Sequence, residues 1–153
     1  MITLVDLMLV DSFFDNLNRE GCFDSQDMDG VSLNYRIVFA SSLPPFSSVN
    51  DLLDNEGTLV EDVNIINVGD DGLVALSWNK GVNIGRTMAC NTSSILVDLG
   101  DVNVAIQGVF LVDNATGFVI AYNVQDKSIR INKEQAVFPL TGLVMNIHEG
   151  VER

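Results

Sequence analysis

The sequence predicts a mainly β fold, an antiparallel β-sandwich or barrel with one N-terminal helix. Three observations predict it. From Thr58 onward, short apolar runs rich in Val, Ile and Phe alternate with turn signals, the pattern of many short strands. No strand–helix–strand alternation is present, so the sheets should be antiparallel. The composition is 47% hydrophobic over 153 residues, enough for a core in a domain able to bury roughly 70% of its unfolded surface. A single domain covering 1–153 is expected, with the helix in 1–20 and the sandwich in 31–150.

The first element, Thr3 to Leu17, reads as a helix. Leu7, Val10, Phe14 and Leu17 recur at helical spacing, and Leu4, Met8 and Phe13 widen the apolar stripe. Asn18 to Gly21 supplies a stop. Residues 21–30 form an acidic loop. Leu33 to Ala40 is a strand with Leu33, Tyr35, Ile37 and Phe39 on one face, ended by Pro44-Pro45, which cannot continue a ladder. Val49 to Glu56 suits a helical turn at the surface. Strands are then expected near 58–66, 73–78, 82–89, 94–99, 102–113, 117–123, 127–132, 135–139 and 142–148. Gly69-Asp-Asp-Gly, Asn79-Lys-Gly, Asn114-Ala-Thr-Gly, Asp126-Lys and Thr141-Gly142 are among the turns between them. Ile106, Phe110, Val112, Ile120, Ile129, Leu143, Met145 and Ile147 are the expected core.

Strand 102–113 is apolar on both sides. Val102, Val104, Ile106, Phe110 and Val112 share one face, and the other begins with Asn103 and Gln107 but turns to Val109 and Leu111. A strand apolar on both faces has something packed over each. The cover over Val109 and Leu111 is either the N-terminal helix or a neighbouring subunit, and these two residues are the expected interface positions.

The net charge is −13, and it is unevenly placed. Residues 1–71 carry fourteen acids against two bases, Arg19 and Arg36, whereas residues 72–153 carry seven against six. The acidic half repels phosphate and anionic lipid, which argues against nucleic acid or a membrane surface as partner. No apolar run reaches 18 residues, and Met1 to Met8 has no basic leader and includes Asp6, so neither a membrane helix nor a secretory signal is expected. Cys22 and Cys90 form no CxxC pair. A disulfide between them is geometrically allowed, and two buried free thiols are the commoner state in a non-secreted chain.

Little in the sequence points to catalysis. His148 is the single histidine, near the C-terminus and without an evident partner, and no nucleophile-elbow, zinc-binding or phosphate-loop motif occurs. The loop Asp24-Ser-Gln-Asp-Met-Asp-Gly resembles the first half of a calcium loop. Its register places Ser25 first and Arg36 twelfth, where a bidentate Glu is needed, so no metal is expected there. Asp70-Asp71 and Glu61-Asp62 are adjacent pairs, which point to opposite faces if extended and suit turns and sheet edges. No cofactor is expected. Trp78 reads as core or interface.

The second half resembles small structural proteins of tailed-bacteriophage virions. The resemblance is carried by Gln107-Gly-Val-Phe-Leu-Val-Asp-Asn-Ala-Thr-Gly-Phe-Val-Ile-Ala-Tyr, by Lys127-Ser-Ile-Arg-Ile-Asn-Lys-Glu-Gln-Ala-Val-Phe and by Gly142-Leu-Val-Met-Asn-Ile. The strand Tyr35-Arg-Ile-Val-Phe-Ala-Ser-Ser-Leu-Pro fits the same outline. The resemblance implies a jelly-roll-like β-sandwich and a virion structural protein, foremost a capsid decoration (cement) protein on the exterior of the head. Its partner would be the major capsid protein or another virion structural protein, and a homo-oligomer, with a trimer suggested, is expected. A tail, neck or fibre-attachment subunit is the nearest alternative. A carbohydrate- or receptor-binding module would need Trp78, Tyr35 or Tyr122 exposed, and a glycosidase would need two buried carboxylates facing each other.

Overall fold

Strand β3, Ser32–Ser42, is the spine of the molecule. A computed structural model of the chain describes residues 2–3, 7–9, 32–66, 72–80, 87–90, 94–98, 104–114, 116–131, 135–139 and 144–146. The strict alternation in β3 sends Tyr35, Ile37 and Phe39 inward, where all three are buried, and leaves Asn34 exposed. Along one edge, residues 35–40 of β3 pair antiparallel with β8, Val104–Asp113. The other edge carries two collinear strands. Residues 32–36 pair with β5, Leu73–Lys80, and Phe39 to Ser42 pair with β4, Asn64–Ile66. These two lie in line along the same edge of β3.

The chain leaves β8 through a tight turn into β9, Val119–Ile131. Asp113 N–H donates to the Phe118 carbonyl at 2.8 Å, and Gly117 N–H donates to the Asp113 carbonyl at 2.8 Å. Gly117 sits at φ +83°, a left-handed conformation that a side chain would strain, so the glycine is required by the turn. β9 continues past Asp126-Lys127, where the sequence predicts a turn and a new strand. Ile106 pairs with Ile129 and Gly108 with Val124, so Gln107 alone stands opposite four residues of β9. The excess is absorbed as a wide bulge, and the strand resumes without reversing.

The remaining strands complete two sheets. β6, Thr87–Cys90, extends from β5, and β11, Val144–Asn146, extends from β6. β2, Met8–Leu9, adds to β9 opposite Ala121 and Tyr122. With β4 these make an eight-stranded sheet. A three-stranded sheet is built from β1 (Ile2–Thr3), β10 (Gln135–Pro139) and β7 (Ser94–Asp98), in the order β1-β10-β7. Every pairing is antiparallel except the two-residue β1–β10 contact. Phe138 of the small sheet meets Phe39 of the large one with ring centroids 5.7 Å apart and planes tilted by 41°. Such an aromatic pair contributes about 0.5–1.5 kcal/mol beyond the area it buries.

The mainly antiparallel β class expected from the sequence is the class observed, and several elements differ from expectation. Met8–Leu9 is strand where the sequence predicts helix, and Ile2–Thr3 is strand as well. Leu7-Met-Leu-Val is a continuous apolar run, which periodicity alone cannot assign, and pairing with β9 satisfies its backbone. The rest of the expected helix, residues 4–6 and 10–17, lies outside the described residues. No helix of seven residues or more occurs among the described residues, and the expected helical turn after Ser48 is a single 3₁₀ turn, Val49–Leu52. Only Asn64–Ile66 of the strand expected at 58–66 is regular, because Leu53 and Leu59 close a tight loop upstream of it. Of the predicted core, Ile106, Phe110 and Ile120 are buried and Val112 is half-buried, but Ile129 is exposed. Met145 lies in β11, and Leu143 and Ile147 lie outside the described residues.

Candidate functional site

Val109 and Leu111 pair with Phe39 and Ile37, and directly paired residues of an antiparallel ladder share a face. That is the face Phe138 covers. Val109 is 4% exposed and Leu111 fully buried within the single chain. As interface positions they are therefore corrected: they belong to the chain's own core, under its smaller sheet. A sheet face already dry inside one subunit offers no area to another.

The opposite face of β8 carries Phe110 and Gly108, paired with Val38 and Ala40. Its cover is the segment 43–63, which leaves β3 and returns as β4. Leu43 lies over the strand: a Cβ on Gly108 would come within 3.1 Å of the Phe110 ring and 3.4 Å of Leu43 Cδ1. Val49, Leu52 and Val63 of the same segment are buried in the core cluster, with Phe46, Leu53, Leu59 and Val60 packed against it. Gln107 fastens this layer to the bulge. Its Oε1 accepts from Leu43 N–H at 2.9 Å, and its Nε2 donates to the carbonyls of Gln125 and Asp126, each at 3.2 Å.

The acids of this covering segment lie outward and support its turns. Asp51 accepts from the N–H groups of Ser47, at 2.7 Å, and Ser48. Asp54 accepts from the Thr58 hydroxyl and from the N–H groups of Glu56 and Thr58. These bonds, that of the Thr58 hydroxyl foremost, hold the Asp54 carboxyl below the usual carboxylate range. Gly57, at φ +93°, turns the loop so that its carbonyl accepts from Val119 N–H at 2.9 Å, which latches the cover onto the start of β9. The carboxylates of Asp51 and Asp54 are thus spent on donors of their own turns.

What remains on the outside is apolar at a few defined places. Ile65, Leu73, Leu96 and Ile129 are the exposed large hydrophobic residues among those described. Ile65 pairs with Ala40 and Leu73 with Arg36, so both lie on the Phe110 face of the large sheet, beyond the cover. Leu73 also borders a shallow groove of about 300 Å³, lined by Asn34, Tyr35, Val74, Ala75 and Asn114. The two asparagines are linked through Asn114 N–H donating to the Asn34 carbonyl at 3.2 Å. The groove can offer amide donors and acceptors beside aliphatic surface. No group of three or more His, Cys, Asp or Glu placed to hold a metal occurs among the described residues.

Other positions singled out in the sequence are scattered. Tyr35 is fully buried, Tyr122 is half-buried in β9 and Trp78 lies in β5 opposite Cys90 of β6. Glu61 and Asp62 are exposed in a turn. Cys22, the acidic loop with Asp27 and Asp29, Asp70-Asp71 and His148 lie outside the described residues. Sequence reasoning missed the covering segment 43–63, although its signal was present: Leu43, Phe46, Val49, Leu52, Leu59 and Val63 are too many apolar side chains for a solvated loop. No protein-family model, no curated protein and no solved structure matches this chain.

Proposed function

We propose that the chain is a structural protein of a tailed-bacteriophage virion, a capsid decoration (cement) protein that binds between capsomers on the exterior of the head. The observation that carries this reading is the β8–β9 hairpin. The stretch that resembles the virion proteins, a strand ending in Val-Asp, an Ala-Thr-Gly turn and a strand running through Tyr122, forms a ladder in which Val109, Phe110, Leu111, Val119 and Ala121 are buried. In this reading the two sheets are the layers of a jelly-roll-like sandwich, and the protein performs no catalysis. It acts by burying apolar area against its neighbours.

The neighbour is the major capsid protein or another virion structural protein, and its contact runs over the face that bears Ile65 and Leu73. Exposed apolar side chains set in a polar surround are the usual material of such contacts. The acidity of residues 1–71 supports an exterior position, because that half would be repelled by packaged DNA. A carbohydrate-binding role loses support from the burial of Tyr35, one of its three aromatic candidates.

The test is the composition of purified particles. Copies on the order of hundreds per particle, in proportion to the capsomers, are expected. About six to eighteen copies would move the protein to the neck, tail or fibre, where rings of low symmetry are built. Its absence from particles would overturn the reading.

A further inference from the structure

Sheet edges are templates for pairing with another chain, and proteins blunt them with short strands, charge, proline or bulges. Most edges among the described residues are blunted in these ways. β1 and β2 are two residues long, and β4 and β11 are three. β9 runs beyond its pairing with β2, but that stretch carries Asp126, Lys127 and Arg130 and is broken by the wide bulge. The outer edge of β5 over residues 73–77 is unpaired among the described residues, and so is that of β7, the end strand of its sheet. β7 is five residues long, pairs with β10 in an unbroken register and contains neither proline nor a basic residue. Ile95 and Val97 are buried, whereas Leu96 is 53% exposed.

We propose that β7 pairs antiparallel with β7 of a second copy of this chain, about a two-fold axis at Leu96. The strand is self-complementary in that register. Ser94 stands opposite Asp98, Ile95 opposite Val97, and Leu96 opposite the partner's Leu96. All five residues pair, and each buried position meets a buried one, as the period of two requires. In this register the two Asp98 positions do not stand opposite each other. The two three-stranded sheets become one continuous sheet across the dimer.

Charge supports a second copy meeting here. Two chains of −13 repel each other overall, and β7 lies in the half where acids and bases nearly balance. Asp98 is its single charge, at the end of the strand. Such a contact is isologous, and two-fold dimers are the commonest homo-oligomers. The inference goes beyond the proposed function: it requires no virion partner and is tested on the full chain alone.

Sedimentation velocity on the full-length protein, from micromolar to about 100 µM, should show a monomer–dimer equilibrium. Raising salt from about 0.05 to 0.5 M should tighten it, because screening removes the repulsion between acidic halves. Leu96→Lys, at an exposed position, should keep the wild-type circular dichroism and weaken dimerisation at least about tenfold. Leu96→Cys should oxidise to a dimer whose disulfide, mapped by peptide mass spectrometry, joins residue 96 to residue 96. A monomer at every concentration and salt, a Leu96→Lys variant that dimerises like wild type, or a crosslink from residue 96 to another cysteine would each overturn the proposal. A dimer that never joins phage particles would sink the virion reading and leave this one standing.

Discussion

The two ends of the β8–β9 ladder are built from similar residues and behave differently. At the turn end, Leu111 pairs with Ala121, and both are fully buried. At the far end, Ile106 pairs with Ile129, and the first is 4% exposed while the second is 45% exposed. The difference lies in what covers each end. Near the turn, one face lies under the Phe138 sheet and the other under segment 43–63. Beyond Gln107 the wide bulge carries β9 out from under both layers. An apolar residue in a strand is therefore core only where a second layer reaches it.

Substitutions that act on one end and spare the other will break or sharpen this contrast. The largest effect is expected at the turn end. Leu111→Ala should cost about 2–5 kcal/mol, measured by chemical denaturation, because a fully buried leucine leaves a cavity behind. The double variant Val109→Glu with Leu111→Lys should lose the fold itself. A folded double variant would mean that these side chains are not enclosed by the subunit.

At the junction, Gln107→Leu should cost about 1–3 kcal/mol, since it leaves the Leu43 N–H and two β9 carbonyls without the amide. Hydrogen exchange should then quicken at Leu43 and around Gln125. An unchanged exchange pattern would show that the bulge holds without Gln107. Beyond the junction, Ile129→Lys should change stability by no more than about 0.5 kcal/mol, as expected of an exposed site. A loss comparable to that of Leu111→Ala would place Ile129 under a layer and erase the contrast.

The smallest effect concerns the latch that holds the cover. The Asp54 carboxyl should titrate below the usual carboxylate range in a carbon-detected NMR titration. Thr58→Ala should raise that midpoint, because the Thr58 hydroxyl is the largest cause of the shift. A folded-state pKa lowered in this way contributes stability that is present above the unfolded value and lost as pH falls through the folded one. The latch between Gly57 and Val119 should therefore loosen only in strong acid. Loosening near neutral pH would show that Asp54 does not govern it.

Much of the ladder is legible in the sequence. Strands at 33–40, 94–99 and 135–139 follow from alternation bounded by turn signals, and the structure places strands within a few residues of each. The turn after Asp113 follows from Asn-Ala-Thr-Gly, because a glycine is the residue that tolerates the positive φ found at Gly117. The apolar character of both faces of β8 is also plain from Val109, Phe110 and Leu111 in succession. Of the contact positions, Val109 and Leu111 are misassigned because side-chain polarity reports that a face is covered and says nothing of which chain covers it.

By itself, then, the sequence determined the β class, most strand positions, the acidic first half and the need for a layer over each side of β8. These are local properties, set by side-chain period, turn chemistry and charge. Only the tertiary structure decided that segment 43–63 supplies one of those layers. It also decided that Asp126-Lys127 is a bulge rather than a turn, that Ile129 lies outside the core and that β7 is left, among the described residues, with an unblunted edge. Each of these depends on pairing between residues far apart in the chain. Strand partners meet through the path of the whole backbone, and a pattern of period two carries no record of that path.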